Sequence, residues 1–294
     1  MKKNLLITGA NGFVGSSFIN SLKEKYEIYG IFKEKPQINQ NITKEIIIDL
    51  SKEITKTLPK NIDTVIHFAQ SNYYRDQDNF ASDIVNINIL STLNLLEWAK
   101  KTNVKKFIFT STGNVYMPSN ILLDEESCIK PNSLYGSSKV SAEMIIEQYK
   151  KYFDINILRL FSVYGPGQTT MLIPDITKKI QSKEKIFLAQ LKGIILTPIY
   201  IQDAINIIEK IIDEEIHQNY YEIYNMAGKE KISLHQIVLI IAENLNIKPI
   251  IESTSNSISY LTGSGDKLIN KFNIEHMTSM KTGLTNFIKS INDI

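Results

Sequence analysis

Asn4-Leu5-Leu6-Ile7-Thr8-Gly9-Ala10-Asn11-Gly12-Phe13-Val14-Gly15 is an apolar run that breaks into glycines and then opens a helical pattern over Phe13–Lys25. A short apolar run followed at once by glycine punctuation predicts a strand, a tight turn and a helix. Glycines at 9, 12 and 15 let backbone amides approach an anion at the positive end of that helix, where a side chain would block the approach. The spacing GxxGxxG differs by one residue from the GxGxxG fingerprint of dinucleotide sites. Gly9, Asn11, Gly12, Phe13, Val14 and Gly15 are therefore candidate contacts to a dinucleotide.

Outward from this turn, Glu27–Phe32, Glu45–Asp49, Asp63–Phe68, Lys105–Thr110 and Ile155–Leu160 are further apolar runs. Asn79–Lys101 and Ser133–Phe153 carry long amphipathic helical patterns between them. Near-continuous apolar strands alternating with helices predict a parallel sheet covered on both faces, a doubly wound α/β fold of Rossmann type. After Gly165-Pro166-Gly167 the rhythm changes. Helices are expected over Met171–Lys183, Asp203–Glu214, Ser233–Leu245 (with Ser233 as N-cap) and Lys281–Ile291, and strands over Ile199–Gln202 and Tyr221–Asn225. Residues 246–266 look polar and broken. The expected division is a cofactor-binding domain over 1–167, to which 197–227 returns, and a smaller interleaved α/β substrate lobe over 168–196 and 228–294.

The 294 residues carry 33 Lys+Arg against 31 Asp+Glu, a formal charge of +2 without a dense basic run, so no nucleic-acid partner is expected. Only Arg75 and Arg159 are arginines, and arginine is the usual bidentate grip on phosphate. The single Cys128 and the scattered His67, His217, His235 and His276 give no support for a metal. The apolar start is too short for a signal segment, and no run approaches the roughly 20 apolar residues of a membrane span. A cytoplasmic protein without a membrane partner is expected.

Tyr135-Gly136-Ser137-Ser138-Lys139 places a tyrosine and a lysine on one helix face, four residues apart. A free phenol titrates near 10, so a working base at neutral pH needs about 4 kcal/mol of preferential phenolate stabilisation. A neighbouring ammonium and a cationic nicotinamide ring are of the right sign to supply it. One strand–helix step earlier, Phe109-Thr110-Ser111-Thr112-Gly113-Asn114-Val115-Tyr116 ends a strand in hydroxyl residues, which at the carboxyl edge of a parallel sheet face the ligand crevice. Tyr135, Lys139 and Thr112 are the candidate catalytic residues, with Ser111 and Thr112 beside the substrate.

These stretches resemble the extended short-chain dehydrogenase/reductase superfamily, in its NAD(P)-dependent sugar-nucleotide epimerase/dehydratase branch. The likeness runs through His67-Phe68-Ala69, through Asn88-Ile89-Leu90-Ser91-Thr92-Leu93-Asn94-Leu95-Leu96, through Pro131 to Lys139 followed by Glu143, and through Arg159 to Gln168. It implies a nucleotide-sugar substrate, with Asp49 and Leu50 near an adenine and Phe68, Ala69 and Asn88 lining the cofactor site. It also implies that Lys139 touches the nicotinamide ribose and that helices 79–101 and 133–153 pair across a homodimer.

Departures from the family pattern narrow the reaction. Dehydratases of the family carry an acidic pair after the catalytic hydroxyl; here Gly113 and Asn114 stand there, which argues against dehydration and for a 4-keto reductase or 4-epimerase. The second strand ends Ile31-Phe32-Lys33-Glu34-Lys35 without an acid for an adenosine ribose, and Lys33 or Lys35 can meet a 2′-phosphate, so NADP(H) is favoured over NAD(H). The family's Asn before Val-Tyr-Gly is Ser162, its Arg-Asp pair reads Leu196-Thr197-Pro198, and Ser259–Gly265 lacks a cation. Arg75, beside Tyr73 and Tyr74, and Ser162 are the candidate substrate contacts. Two other readings stay open: a reductase of a carbonyl compound without a nucleotide, and a non-catalytic cofactor-binding sensor or scaffold.

Overall fold

The computed structural model describes residues 2–36, 42–52, 58–217 and 219–292. The first half alternates strands and helices: β1 (Asn4–Thr8), α1 (Phe13–Leu22), β2 (Glu27–Phe32), β3 (Lys44–Ile47), β4 (Thr64–His67), α2 (Gln77–Val85), α3 (Ser91–Lys101), β5 (Lys106–Thr112), α4 (Leu134–Glu147) and β6 (Asp154–Leu160). Then come β7 (Val163–Tyr164), α5 (Leu172–Gln181), β8 (Lys185–Ala189), β9 (Ile195–Leu196), β10 (Ile199–Tyr200), α6 (Ile201–Asp213) and β11 (Tyr221–Met226). The chain closes with β12 (Ile232–Ser233), α7 (Leu234–Leu245), β13 (Ile250–Thr254), β14 (Tyr260–Leu261), α8 (Asp266–Lys271) and α9 (Met280–Asn292).

Seven strands form one sheet in the order β11-β6-β5-β4-β1-β2-β3, with β1–β2, β1–β4, β2–β3 and β4–β5 all paired in parallel. The strand order turns at β1, whose neighbours are β2 on one side and β4 on the other. Such a switch point leaves a crevice at the carboxyl ends of the strands, where ligands of open α/β sheets bind. Every residue of β4 and β5 is buried, because helices cover both faces, and this is why the two strands carry no polar–apolar alternation. One face packs Leu6, Val65, Phe107, Phe109, Ile155 and Ile157 against Leu95, Leu96, Ala142 and Ile146 of α3 and α4.

Two compact units result. One comprises Met1–Met117, Cys128–Arg159 and Ile208–Tyr224; the other Pro118–Ser127, Leu160–Ile207 and Asn225–Ile294. The return to the first unit thus begins at Ile208, inside α6, where the sequence suggested 197. The second unit has its own core, in which Ile173, Ile176 and Ile180 of α5 meet Ile237, Val238 and Ile241 of α7 and Leu284 and Phe287 of α9.

The expected helix 79–101 is not one uniform helix. It starts at Gln77, kinks at Phe80 (φ −126°, ψ 28°), and passes through a π-turn at Asn86–Leu90 before α3. The extra residue in that turn carries Asn88 inward, where its side chain is 1% exposed and hydrogen-bonded. α4 ends at Glu147, short of the expected Phe153. Residues 246–266 hold β13 and β14, and β13 pairs in parallel with β8. That two-stranded sheet is half exposed, so its mixed pattern hid both strands. Ser233 does cap α7, within a reciprocal capping box with Gln236. No helix among the described residues is long and apolar enough to cross a membrane.

Candidate active site

The turn after β1 is built for close backbone approach. Gly9 adopts φ +66°, and a Cβ there would stand 2.8 Å from the Ala69 amide nitrogen at the end of β4. A Cβ on Gly15 would stand 2.2 Å from the Gly9 carbonyl oxygen, so the helix can sit on the turn only without one. At Gly12 an added Cβ would meet the Gly9 carbonyl oxygen at 3.2 Å and, among the described residues beyond its chain neighbours, nothing else within 4 Å. Gly12 begins α1 with no side-chain cap and no acid in the first turn. An uncapped helix start behind an open glycine turn suits the diphosphate of a dinucleotide. Asn11 and Phe13 are at the rim of this turn, with Asn11 exposed and Phe13 and Val14 half-buried.

The rest of the predicted cofactor set divides. Asp49 follows β3 with its carboxylate held by the backbone amide and hydroxyl of Ser51, 3.0 and 2.7 Å away. Those bonds, and Lys33 nearby, hold it below the usual carboxylate range. Phe32 is wholly buried and Leu50 lies in the core, whereas Lys33 is exposed. Phe68 lies against Phe18 of α1, and the Ala69 amide donates to Thr8 Oγ1 at 3.1 Å. Asn88, expected at the cofactor, is buried with its carboxamide hydrogen-bonded inside the protein. It accepts from the Ser71 amide (2.9 Å) and donates to Ser138 Oγ (2.9 Å), because the π-turn carries it under the surface.

The Tyr135 phenol and Thr112 come together at the carboxyl end of β5, with Lys139 on the next turn of α4. Ser133 caps α4 by accepting from the Gly136 amide at 3.1 Å. A Cβ on Gly136 would stand 2.5 Å from the Asn114 carbonyl oxygen, so this glycine lets the first turn of α4 close onto the exit of β5. That closure brings the Tyr135 phenol to Thr112. Thr112 Oγ1 accepts from the Asn114 amide (3.2 Å) and from Asn114 Nδ2 (3.1 Å), which leaves its own proton for the phenol oxygen it contacts. The phenol in turn donates to Gln70 Oε1 at 2.9 Å.

The electrostatics correct one expectation. Burial raises the Tyr135 phenol above its usual range, against the lowering effect of Thr112, and Lys139 is not among the groups that shift it. Lys139 is 1% exposed and donates to the Thr110 carbonyl at 2.9 Å. Burial pushes its ammonium down to about 7, with Glu143 opposing. Lys139 is thus buried beside β5, with its ammonium on the Thr110 carbonyl, while Tyr135 is half-buried.

Ser111 is a second correction. It alternates to the other face of β5, is 3% exposed, and donates to Glu143 Oε1. Glu143 is gripped by Arg159 through Nε (3.2 Å) and a terminal nitrogen (2.7 Å), and the other terminal nitrogen donates to the Tyr116 hydroxyl at 2.8 Å. Arg159 is therefore a buried structural cation. Arg75 lies 5.4 Å over the Tyr74 ring, which tilts against the Tyr135 ring at 5.3 Å. Ser162 belongs to the second unit, where it adopts φ +61° and its carbonyl accepts from the Ile199 amide at 3.0 Å.

Sequence reasoning missed Gln70 and the use of Asn114. Gln70 is the residue after the His67-Phe68-Ala69 edge of β4, and its position at a strand's carboxyl end was the available signal.

The NAD dependent epimerase/dehydratase family model matches residues 5–227. An uncharacterized UDP-glucose epimerase of Bacillus subtilis, YtcB, is 27% identical over 99% of this chain and 98% of its own. Human dTDP-D-glucose 4,6-dehydratase is 33% identical over 62% of this chain and 58% of its own. UDP-glucuronic acid 4-epimerase of Bacillus cereus, solved with UDP-glucuronic acid and NAD, superposes with a TM-score of 0.84 over 99% of both chains at 25% identity. With the matched region covering the glycine turn, the Thr112–Tyr135 pair and Arg159, the chain belongs to the NAD dependent epimerase/dehydratase family.

Proposed function

We propose that this chain is an NAD(P)-dependent redox enzyme acting on a nucleotide-activated sugar, a 4-keto reductase or 4-epimerase in which Tyr135 exchanges the proton. The observation that carries this reading is the approach of the Tyr135 phenol to Thr112 at the carboxyl end of β5, where Gly136 lets α4 close onto the strand exit, with Lys139 one helical turn on. A bound NAD(P) supplies or accepts the hydride. Gly9, Gly12 and Gly15 admit its diphosphate to the start of α1, and Lys139 is the residue of the set suited to its ribose. Tyr135 gives its phenolic proton to the sugar oxygen in reduction and takes it back in oxidation. Thr112, whose one proton faces the phenol oxygen, donates to the phenolate left behind.

Dehydration fits less well, although a dehydratase is among the relatives. Gly113 has no side chain, and the Asn114 carboxamide donates to Thr112, so no acid follows the catalytic hydroxyl. The NADP(H) preference rests on Lys33 and Lys35 alone; the solved epimerase holds NAD, and Lys33 already acts on Asp49. Dissociation constants for NADPH and NADH separate the two, and a tenfold preference for NADH removes the lysine reading. Exposed Leu90 and Met144 on the helices proposed to pair support a homodimer, which sedimentation tests.

One observation favours a substrate without a nucleotide. In the second unit, Thr197 accepts from the Gly263 amide at 2.9 Å, so both stretches that bear cations in the family are occupied with each other. Identification of the nucleotide that co-purifies separates the readings: a sugar nucleotide supports the first and its exclusion by calorimetry supports the second. Tyr135→Phe is expected to lower kcat by about 10²–10⁴-fold while leaving cofactor affinity within about twofold. Retained turnover would remove the mechanism.

A further inference from the structure

We propose that Gln70 is a positioning residue for the proton transfer, holding the Tyr135 phenol in both of its protonation states. The inference rests on the reading of Tyr135 as the proton-exchanging group. Its ground is the hydrogen bond that holds the phenol. The phenol donates to Gln70 Oε1 at 2.9 Å, and Thr112, whose Oγ1 accepts from the Asn114 amide and Nδ2, has its own proton to give to the phenol oxygen.

Gln70 projects from the carboxyl end of β4, on the strand next to Thr112, and its side chain is exposed rather than packed into the core. A carbonyl oxygen that accepts the phenolic proton occupies the same role as the sugar ketone oxygen that receives it in reduction. When the proton passes from Tyr135 to that oxygen, as hydride arrives at the carbon, the phenolate needs a donor in place of an acceptor. A carboxamide supplies either by rotation about its last bond, since its two ends differ only in which hydrogen-bonding role they offer. Neither an alanine nor a carboxylate at this place can do both. The other groups facing the phenol are Thr112 from β5 and Tyr74, with Arg75 stacked on it, from the loop after β4; the Lys139 ammonium lies away from it on the Thr110 carbonyl.

The test uses the full-length protein saturated with oxidised cofactor, its tyrosines labelled with ¹³C at Cζ and the Tyr135 signal assigned by its loss in Tyr135→Phe. Gln70→Glu is expected to raise the Tyr135 titration midpoint by about one unit, because a carboxylate accepts from the phenol and repels the phenolate. Gln70→Met is expected to move the Tyr135 signal at pH 7 and to lower kcat about tenfold with KM for the sugar nucleotide unchanged. The limb of the kcat–pH profile should follow the Gln70→Glu shift. An unmoved signal and midpoint in both variants would overturn the proposal. Because the resonance reads the phenol without turnover, a shifted signal in a protein inactive on every sugar nucleotide would support Gln70 while sinking the redox assignment.

Discussion

Lys139 donates to the Thr110 carbonyl at 2.9 Å and lies 4.7 Å over the Phe109 ring. The lysine is therefore tied to the strand that presents Thr112, not to the phenol one turn before it. Its burial has a measurable cost, because an ammonium loses its hydration there and the carbonyl, the ring face and Glu143 offset only part of it.

The pH dependence of stability tests that arrangement. Lys139 carries its proton up to 10.5 when unfolded and only to about 7 when folded. Between those values the unfolded chain binds more protons, so stability rises with pH across the window and the favourable contribution is lost as pH falls toward 7. Lys139→Met is expected to flatten this rise between pH 7 and 10 in denaturant titrations of the cofactor-free protein, and to lower turnover by at least about 10²-fold. An unchanged slope would show that the lysine is hydrated.

Ser111 and Thr112 are adjacent and should differ in their effect on turnover. Ser111→Ala leaves the buried Glu143–Arg159 pair short of one donor and is expected to cost about 1–2 kcal/mol, with kcat/KM changed less than about twofold. Thr112→Val, which leaves the Asn114 amide and carboxamide without their acceptor, is expected to cost about 1–2 kcal/mol as well but to reduce kcat/KM about 10²-fold. Paired thermal melts and initial rates decide it. A Ser111→Ala enzyme that is stable but inactive would return Ser111 to the substrate.

Two glycines of the turn separate folding from binding. Gly15→Ala forces a Cβ to within 2.2 Å of the Gly9 carbonyl and is expected to destabilise the cofactor-free protein by about 1–3 kcal/mol. Gly12→Ala brings its Cβ to 3.2 Å from the Gly9 carbonyl oxygen, and is expected to fold within about 1 kcal/mol of wild type while weakening dinucleotide binding at least about tenfold. Calorimetric binding and denaturation on the same samples provide both numbers.

Ser162 sits at φ +61°, a region that costs most residues about 1 kcal/mol and asparagine less. Ser162→Asn is expected to raise stability by several tenths of a kcal/mol in urea denaturation. A loss of stability would mean that the added amide has no room.

The architecture was largely visible in the order of residues, for identifiable reasons. β4 and β5 are buried on both faces, so their apolar runs are unbroken and can be recognised without knowing their neighbours. The glycine turn was equally plain, because positive φ at Gly9 and the close approach at Gly15 demand a missing side chain. β8 and β13 were invisible, since a two-stranded, half-exposed pair leaves a mixed pattern that resembles a loop.

Within the site, the identities of Thr112, Tyr135 and Lys139 could be read from spacing and position, because a helix places residues four apart on one face. What each side chain touches could not. Ser111 turned to Glu143, Asn88 to Ser71 and Ser138, and Tyr135 to Gln70, all through partners distant in the chain. Local sequence determines the backbone path and hence where a residue stands. Hydrogen-bond partners and the desolvation that sets protonation depend on which remote segments arrive at the same place, and only the folded chain decides that.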